Sequence, residues 1–392
     1  MIIFIESNTS GTGEYFYNLC KKKKIKFLFL VSSKKKYPWL SKKYYKIIDT
    51  KNFNKLIKKI QLIKRNNNIK YILSTSDMFI ETSNSLNKIF NLDHENERLI
   101  KTFKNKYECL KNMRKLGIVN RNFQKISSKS LINKINFPLI IKPINGTGSI
   151  DVFKINNRKQ LLNKKNYLTK KYKEIILDEF IKGQEYSLEV FFYKKKIVFN
   201  QLIKKEIFDK KHFVESGHII SNNFDSKIIK LKNKLLIKLD KFKLNNMFLH
   251  IEFKIDDKNR IQLIEINPRL AGGFIPILIK LVHKIDLISL YLDLIIGKKF
   301  KKINKIKNLF IYKIIFLIPG FSQKIEKIII SNKISNLILH KKIYYDKLKQ
   351  FKAYSYNFSD RLGHIIFKGK NFNELLLNEK KLKSNIFFKK KI

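Results

Sequence analysis

Cysteine is scarce. Only Cys20 and Cys109 occur, far apart in the chain, which excludes a disulfide framework and a cysteine-rich metal site and leads us to expect a reducing, cytoplasmic setting. Uncharged apolar runs are short as well. The candidate around Phe310 to Phe321 is broken by Lys313 and Pro319 and falls short of the ~20 residues that a membrane-spanning helix needs. The stretch Met1 to Glu6 lacks the basic and long apolar regions of a signal peptide, so a soluble protein without a membrane partner is expected. Alanine is rare and acids are outnumbered, 31 Asp and Glu against 84 Lys and Arg, for a formal charge of +53. Such charge ordinarily points to a phosphate polymer. Here no basic tail, zinc motif or aromatic RNA-binding signature accompanies it, and lysine is spread evenly beside Asn and Ile, as an AT-biased coding sequence produces. No specific nucleic-acid partner is expected.

What is present suits a globular chain: 392 residues, 44% of them hydrophobic, are enough for two or three packed domains. In the first hundred residues, Ile2 to Ile5, Ile25 to Ser32, Tyr45 to Asp49 and Tyr71 to Ser74 read as strands, while Glu14 to Lys23 and Asn54 to Arg65 carry helical periodicity. That alternation predicts a parallel α/β sheet. The turn from Ser7 to Gly13 lacks the third glycine of a dinucleotide fingerprint and reads as a tight strand-to-helix turn. Leu99 to Leu116 is expected as one helix stopped by Gly117. Antiparallel strands joined by tight turns are expected from Pro138 to Phe208, then a helix from Lys227 to Phe242. Strands Phe248 to Ile255 and Ile261 to Asn267 follow, then a helix over Pro276 to Ile296. The remainder is a basic α+β region whose distinct feature is Asp360-Arg361-Leu362-Gly363. The domain divisions expected are 1–98, 99–300 and 301–392.

The chemistry concentrates in two places. If Asp257 to Arg260 form a four-residue turn, strand residues whose numbers sum to 517 lie opposite one another, and Glu252 faces Glu265. Like charges so placed repel. Asn267 projects from the same face by strand alternation, and the three form a hard-oxygen set suited to Mg²⁺ or Mn²⁺ holding substrate phosphates. The alternative is an ordinary ion-paired surface, with Lys254 or Arg269 as partners. Arg269, followed by Gly272 and Gly273, suits a transferring phosphoryl group. Upstream, Lys142 emerges from an apolar strand and is followed by Asn145-Gly146-Thr147-Gly148-Ser149, a loop whose N–H groups and hydroxyls can cover phosphates. A plain hairpin turn beside a surface lysine is the competing reading.

Taken in order, Lys106, Lys142, the glycine loop, the acidic segment Asp178 to Glu185 and the hairpin with Glu252, Glu265, Asn267 and Arg269 resemble the ATP-grasp superfamily over Leu99 to Gly297. Glu215-Ser216-Gly217-His218, the N-terminal glycine turn and the Asp360 to Gly363 motif look most like its L-amino acid ligases and related carboxylate-amine ligases. The resemblance implies an ATP-grasp fold, α/β and α+β, with a preceding parallel α/β domain and a small C-terminal α+β region. It implies ATP and Mg²⁺ as cofactors. Lys106, Lys142, Gly146, Thr147, Gly148 and Ser149 would bind the phosphates; Glu179, Phe180 and Ile181 would form the adenine hinge; Glu185 would take the ribose. Glu252, Glu265 and Asn267 would hold the metal, and Arg269 and His218 would act on the substrate. Asp151 departs from the pattern, standing where many relatives carry glycine.

The implied reaction joins a carboxylate to an amine through an acyl phosphate, with small molecules, amino acids among them, as partners. The oligomeric state, a homodimer in this reading, is left open by the sequence. A bicarbonate-using carboxylase or carbamoyl-phosphate enzyme shares the ATP site, although no biotin-carrier motif is present. A basic nucleic-acid-binding protein on a degenerate ATP-binding scaffold is the non-enzymatic alternative.

Overall fold

The computed structural model describes residues 1–9, 11–132, 135–209, 213–304, 309–320, 324–345, 348, 351 and 360–390, with the side chain of residue 209 excepted. Ser10 of the N-terminal turn and Phe321 of the apolar run therefore lie outside the described residues. No helix among the described residues is long and apolar enough to cross a membrane.

Four parallel strands open the chain: β1 (Ile2–Ile5), β2 (Phe27–Val31), β3 (Tyr45–Ile47) and β4 (Tyr71–Leu73), in the order β3-β2-β1-β4. β1 and β2 are buried along their whole length because both faces are covered. Helices α1 (Thr12–Lys22) and α2 (Phe53–Arg65) make crossovers, and α3 (Ile80–Ile89) follows the last strand. On one face Ile3, Ile5 and Leu30 meet Leu56 and Ile60 of α2. On the other, Ile2, Phe4 and Phe29 enter a core that also holds Phe191, Phe248, Leu278 and Tyr291 from the middle of the chain. Phe4 stacks on Phe29 at 4.3 Å. The parallel sheet and the region after it thus share one interior.

The expected helix from Leu99 to Leu116 is two helices, α4 (Glu97–Lys104) and α5 (Lys106–Lys115). Asn105 is the reason: with φ −91° and ψ 103° it leaves the helical region, and its side chain accepts from Glu108 N at 3.0 Å, capping the second helix. Next comes a small antiparallel sheet of β5 (Phe123–Ile126), β6 (Leu139–Pro143), β7 (Phe153–Ile155) and β8 (Ile175–Glu179), in the order β5-β8-β6-β7. It carries α6 (Arg158–Lys171), which was not expected among these strands. Its apolar stripe is thin, Leu161 and Leu168 being the buried apolar positions beside Lys165, so periodicity does not announce it.

An eight-stranded antiparallel sheet forms the centre. Its strands are β9 (Gly183–Tyr193), β10 (Lys196–Asp209), β11 (Val214–Ile220), β12 (Asn246–Asp256), β13 (Ile261–Asn267), β14 (Ile311–Phe316), β16 (His340–Ile343) and β17 (Gly363–Gly369). The order is β13-β12-β9-β10-β11-β14-β17-β16, so the sheet runs without a break from the β12–β13 hairpin into the C-terminal region. α7 (Ser226–Asp240) follows β11 as expected. The helix expected over Pro276 to Ile296 is instead α8 (Ile275–His283) and α9 (Leu287–Ile295). Lys284 adopts the left-handed conformation at φ 58°, and Asp286 caps α9 by accepting from Ser289 N at 3.0 Å. A two-stranded sheet, β15 (Ile325–Ile330) with β18 (Ile386–Lys390), and helix α10 (Phe372–Ser384) complete the fold.

Candidate active site

Glu252 lies opposite Glu265, but the turn alone does not put it there. The hairpin closes with Ile255 opposite Ile261, a sum one short of 517, and Asp256 N donates to Arg260 O at 3.0 Å. A bulge then places both Ile264 and Glu265 against Glu252 and restores the expected register. The extra residue turns Glu265 onto the same cavity face as Ile264.

Neither carboxylate is left bare. Glu252 Oε1 accepts from Lys205 Nζ and from His250 Nε2, both at 2.7 Å, rather than from Lys254 or Arg269. Glu265 Oε2 pairs with Lys106 Nζ at 2.8 Å, and Glu265 Oε1 accepts from Asn267 Nδ2 at 2.7 Å. Burial opposes ionisation of Glu265, yet Lys106 and Asn267 outweigh it and hold the carboxyl far below the usual range. His250, unassigned from the sequence, also meets Glu189 Oε1 through Nδ1 at 2.7 Å. Burial would lower its pKa, but Glu189 and Glu252 raise it to about 9, so the ring is a cation between two carboxylates.

Lys142 points inward from β6 and donates to Asp178 Oδ2 at 2.8 Å. Asp178 also takes a fork from Arg121, whose Nε and Nη2 lie at 2.7 and 2.9 Å. Burial depresses the Lys142 ammonium, and Asp178 offsets this only in part. The glycine loop arches over these groups with Gly148, Ser149 and Asp151 at φ 63°, 56° and 61°. It is moored at both ends: Lys106 Nζ donates to Gly146 O, and Asp151 Oδ2 accepts from Lys171 Nζ and Tyr172 OH at 2.7 and 2.6 Å. The departure at Asp151 is thus an anchor to α6.

The hinge follows β8. Glu179 N and Phe180 N are spent on Asn122 O and Pro138 O, and Lys154 and Lys254 lie over the Phe180 ring at 4.2 and 5.4 Å. Glu185 is partly buried, with its carboxyl raised to about 7 by desolvation, and lies 3.7 Å from Lys205. Arg269 is clamped by Asp77 of the first sheet's far loop: Nε donates to Oδ1 at 2.6 Å and Nη2 to Oδ2. His218 sits behind Gly273, fully buried.

Of the residues singled out, all but Asn267 line one cavity of about 490 Å³. Asn267 stands behind Glu265. Sequence reasoning missed Arg121, Lys205 and His250 on its walls and the Asp77 clamp, and it named Asp178 and Arg361 within their motifs without giving either a role. Lysine is too common here for Lys205 to stand out; His250 was detectable, two residues before Glu252 and so on the same strand face. The N-terminal turn contributes Ser7, Asn8 and Thr9 to the cavity, while Gly13 fits a tight turn, since a Cβ there would lie 2.0 Å from Ser7 Oγ.

The donor set fits a hard divalent cation. Two facing carboxylates are each neutralised by an ammonium in the cation-free arrangement, which is the charge a metal would replace. No three His, Cys, Asp or Glu side chains among the described residues cluster as a metal site, so Asn267 or phosphate oxygens would have to complete the shell.

Residues 135–277 match the family described as ATP-grasp domain. An L-amino acid ligase from Bacillus licheniformis superposes with a TM-score of 0.85 at 14% identity, covering 100% of this chain and 98% of that one. The chain has the ATP-grasp fold. A phosphoribosylglycinamide synthetase from Anaerococcus prevotii shares this ATP-grasp architecture at a TM-score of 0.75 and 17% identity, over 100% and 99% of the two chains. The curated relative, the uncharacterized protein y4rH of Sinorhizobium fredii, is 22% identical over 317 residues, 76% of this chain. The match spans 64% of that relative's length.

Proposed function

We propose that the chain is an ATP- and Mg²⁺-dependent carboxylate-amine ligase, built as units 1–98, 99–300 and 301–392 and working in the cytoplasm on small molecules. The observation that carries this reading is the meeting, in one cavity, of the facing Glu252 and Glu265, the buried Lys142 and the loop from Gly146 to Ser149. Lys106 and Lys142 bind the phosphates, Glu179 to Ile181 hold the adenine and Glu185 the ribose. Glu252, Glu265 and Asn267 would hold Mg²⁺, which would supply charge neutralisation to bound phosphates. Arg269, fixed by Asp77, stabilises charge on the transferring phosphoryl group, and His218 lines the acid pocket. The carboxylate becomes an acyl phosphate, and an amine then displaces phosphate to form the amide. The loop excludes water from that step.

The test is phosphate release from ATP and Mg²⁺ with pairs of amino acids, run beside Glu265→Gln. Wild-type turnover needs both an acid and an amine; the variant loses about 100-fold or more, as when a preorganised charge is removed. Turnover that survives in Glu265→Gln removes the metal assignment.

A further inference from the structure

Two cations converge on Glu215. Lys205 Nζ, which also serves Glu252 and Glu185, lies 2.6 Å from Oε1, and Arg361 Nη2 lies 2.6 Å from Oε2, so both Glu215 oxygens are already taken. Phe316 packs against both Arg361 and His218: the Arg361 guanidinium lies over the ring at 4.0 Å, and His218 meets it edge-on at 5.4 Å. Two polar groups here have no hydrogen-bond partner, Arg361 Nε and the His218 imidazole at both nitrogens. His218 is 1% exposed and faces the cavity. Burial pushes its pKa down to about 3, so the ring is neutral and offers one N–H rather than a charge. A buried donor without a partner is destabilising, and an entering acceptor relieves that cost. Gly273 keeps the approach open, because a Cβ there would lie 2.8 Å from His218 Nε2.

We propose that Arg361, His218 and Phe316 form a subsite for a second anionic group of the acid substrate, distinct from the carboxylate that is activated, so that the substrate class is a short dicarboxylate. This rests on the ligase reading above. An ammonium group entering the corner would face Arg361 and Lys205, with Glu215 already committed to both. The span is short because the same Lys205 Nζ hydrogen-bonds Glu252 at 2.7 Å, placing corner and metal pair one ammonium apart. A monocarboxylate satisfies only one end.

Calorimetric titration of glutarate and of butyrate into the protein with Mg-ADP tests this. Glutarate is expected to bind at least about tenfold more tightly, since a site built for a polar group rejects the analogue lacking it. Arg361→Met is expected to erase that ratio, and Arg361→Lys, with charge but no fork, to keep part of it. Equal binding of the two acids, binding of neither, or equal loss of both in Arg361→Met overturns the proposal. Thermal melting checks each variant; if Arg361→Met does not fold, an unchanged ratio in Arg361→Lys overturns it and a reduced ratio supports it. Glutarate binding without any amine-dependent phosphate release sinks the ligase reading and leaves the subsite standing.

Discussion

Asp178 receives three hydrogen bonds from two buried cations, Arg121 and Lys142, and without it both charges would be stranded. Asp178→Asn is therefore expected to destabilise the fold by about 3–5 kcal/mol, read as a shift of the urea midpoint. His250 gives a pH dependence. Its pKa is raised from 6.5 to about 9 in the fold, so its contribution is complete below pH 6.5 and is lost as pH climbs through 9. The melting temperature of the metal-free protein should fall across that window, and His250→Gln should flatten the fall. At this scale the sequence was legible wherever a residue type is rare. The acids Glu252 and Glu265 and the glycines of the loop stand out, whereas Lys205 is one lysine among many. Its role comes from three carboxylates that only the fold brings to it.

Among elements, Gly183 joins the hinge to β9 at φ 146°, and an added Cβ would sit 2.1 Å from Ile255 O. Gly183→Ala should destabilise by about 1–3 kcal/mol through strain and clash, and should weaken nucleotide binding measured by calorimetry. The strands of the first sheet were readable because continuous apolar runs between polar turns leave little choice. The helix breaks at Asn105 and Lys284 were not, since each depends on one residue's backbone angles and a local cap inside an otherwise helical pattern. The bulge at Ile264 is the instructive case. The sequence placed Glu265 opposite Glu252 through a four-residue turn, while the fold reaches the same pairing through a turn one residue out of that register, offset by the bulge. Apolar alternation could not separate the two routes, because they differ only in where Ile264 points.

Over the whole molecule, the ion pair of Asp77 with Arg269 fastens the first sheet to the site, and the shared core around Phe4 and Tyr291 makes that attachment rigid. Asp77→Asn should leave Arg269 buried with a weaker partner and lower kcat more than it raises KM for ATP, because Arg269 would lose its aim rather than the nucleotide its contacts. The formal charge of +53 should speed capture of ATP: association rates from stopped-flow are expected to fall steeply as ionic strength rises. The eight-stranded sheet continues past residue 300, near where the resemblance ends; long-range strand pairing leaves no mark on local sequence.

The Lys205 ammonium meets three carboxylates of the cavity, those of Glu252, Glu215 and Glu185. On the proposed ligase reading, a divalent ion held by Glu252 would free this nitrogen toward Glu215 and strengthen the field felt by an incoming anion. Occupancy of either pocket would then favour occupancy of the other, with the two enhancement factors equal by thermodynamic reciprocity. The enzyme would thus sense that its nucleotide is in place before it grips its acid, using a single proton-bearing nitrogen as the messenger.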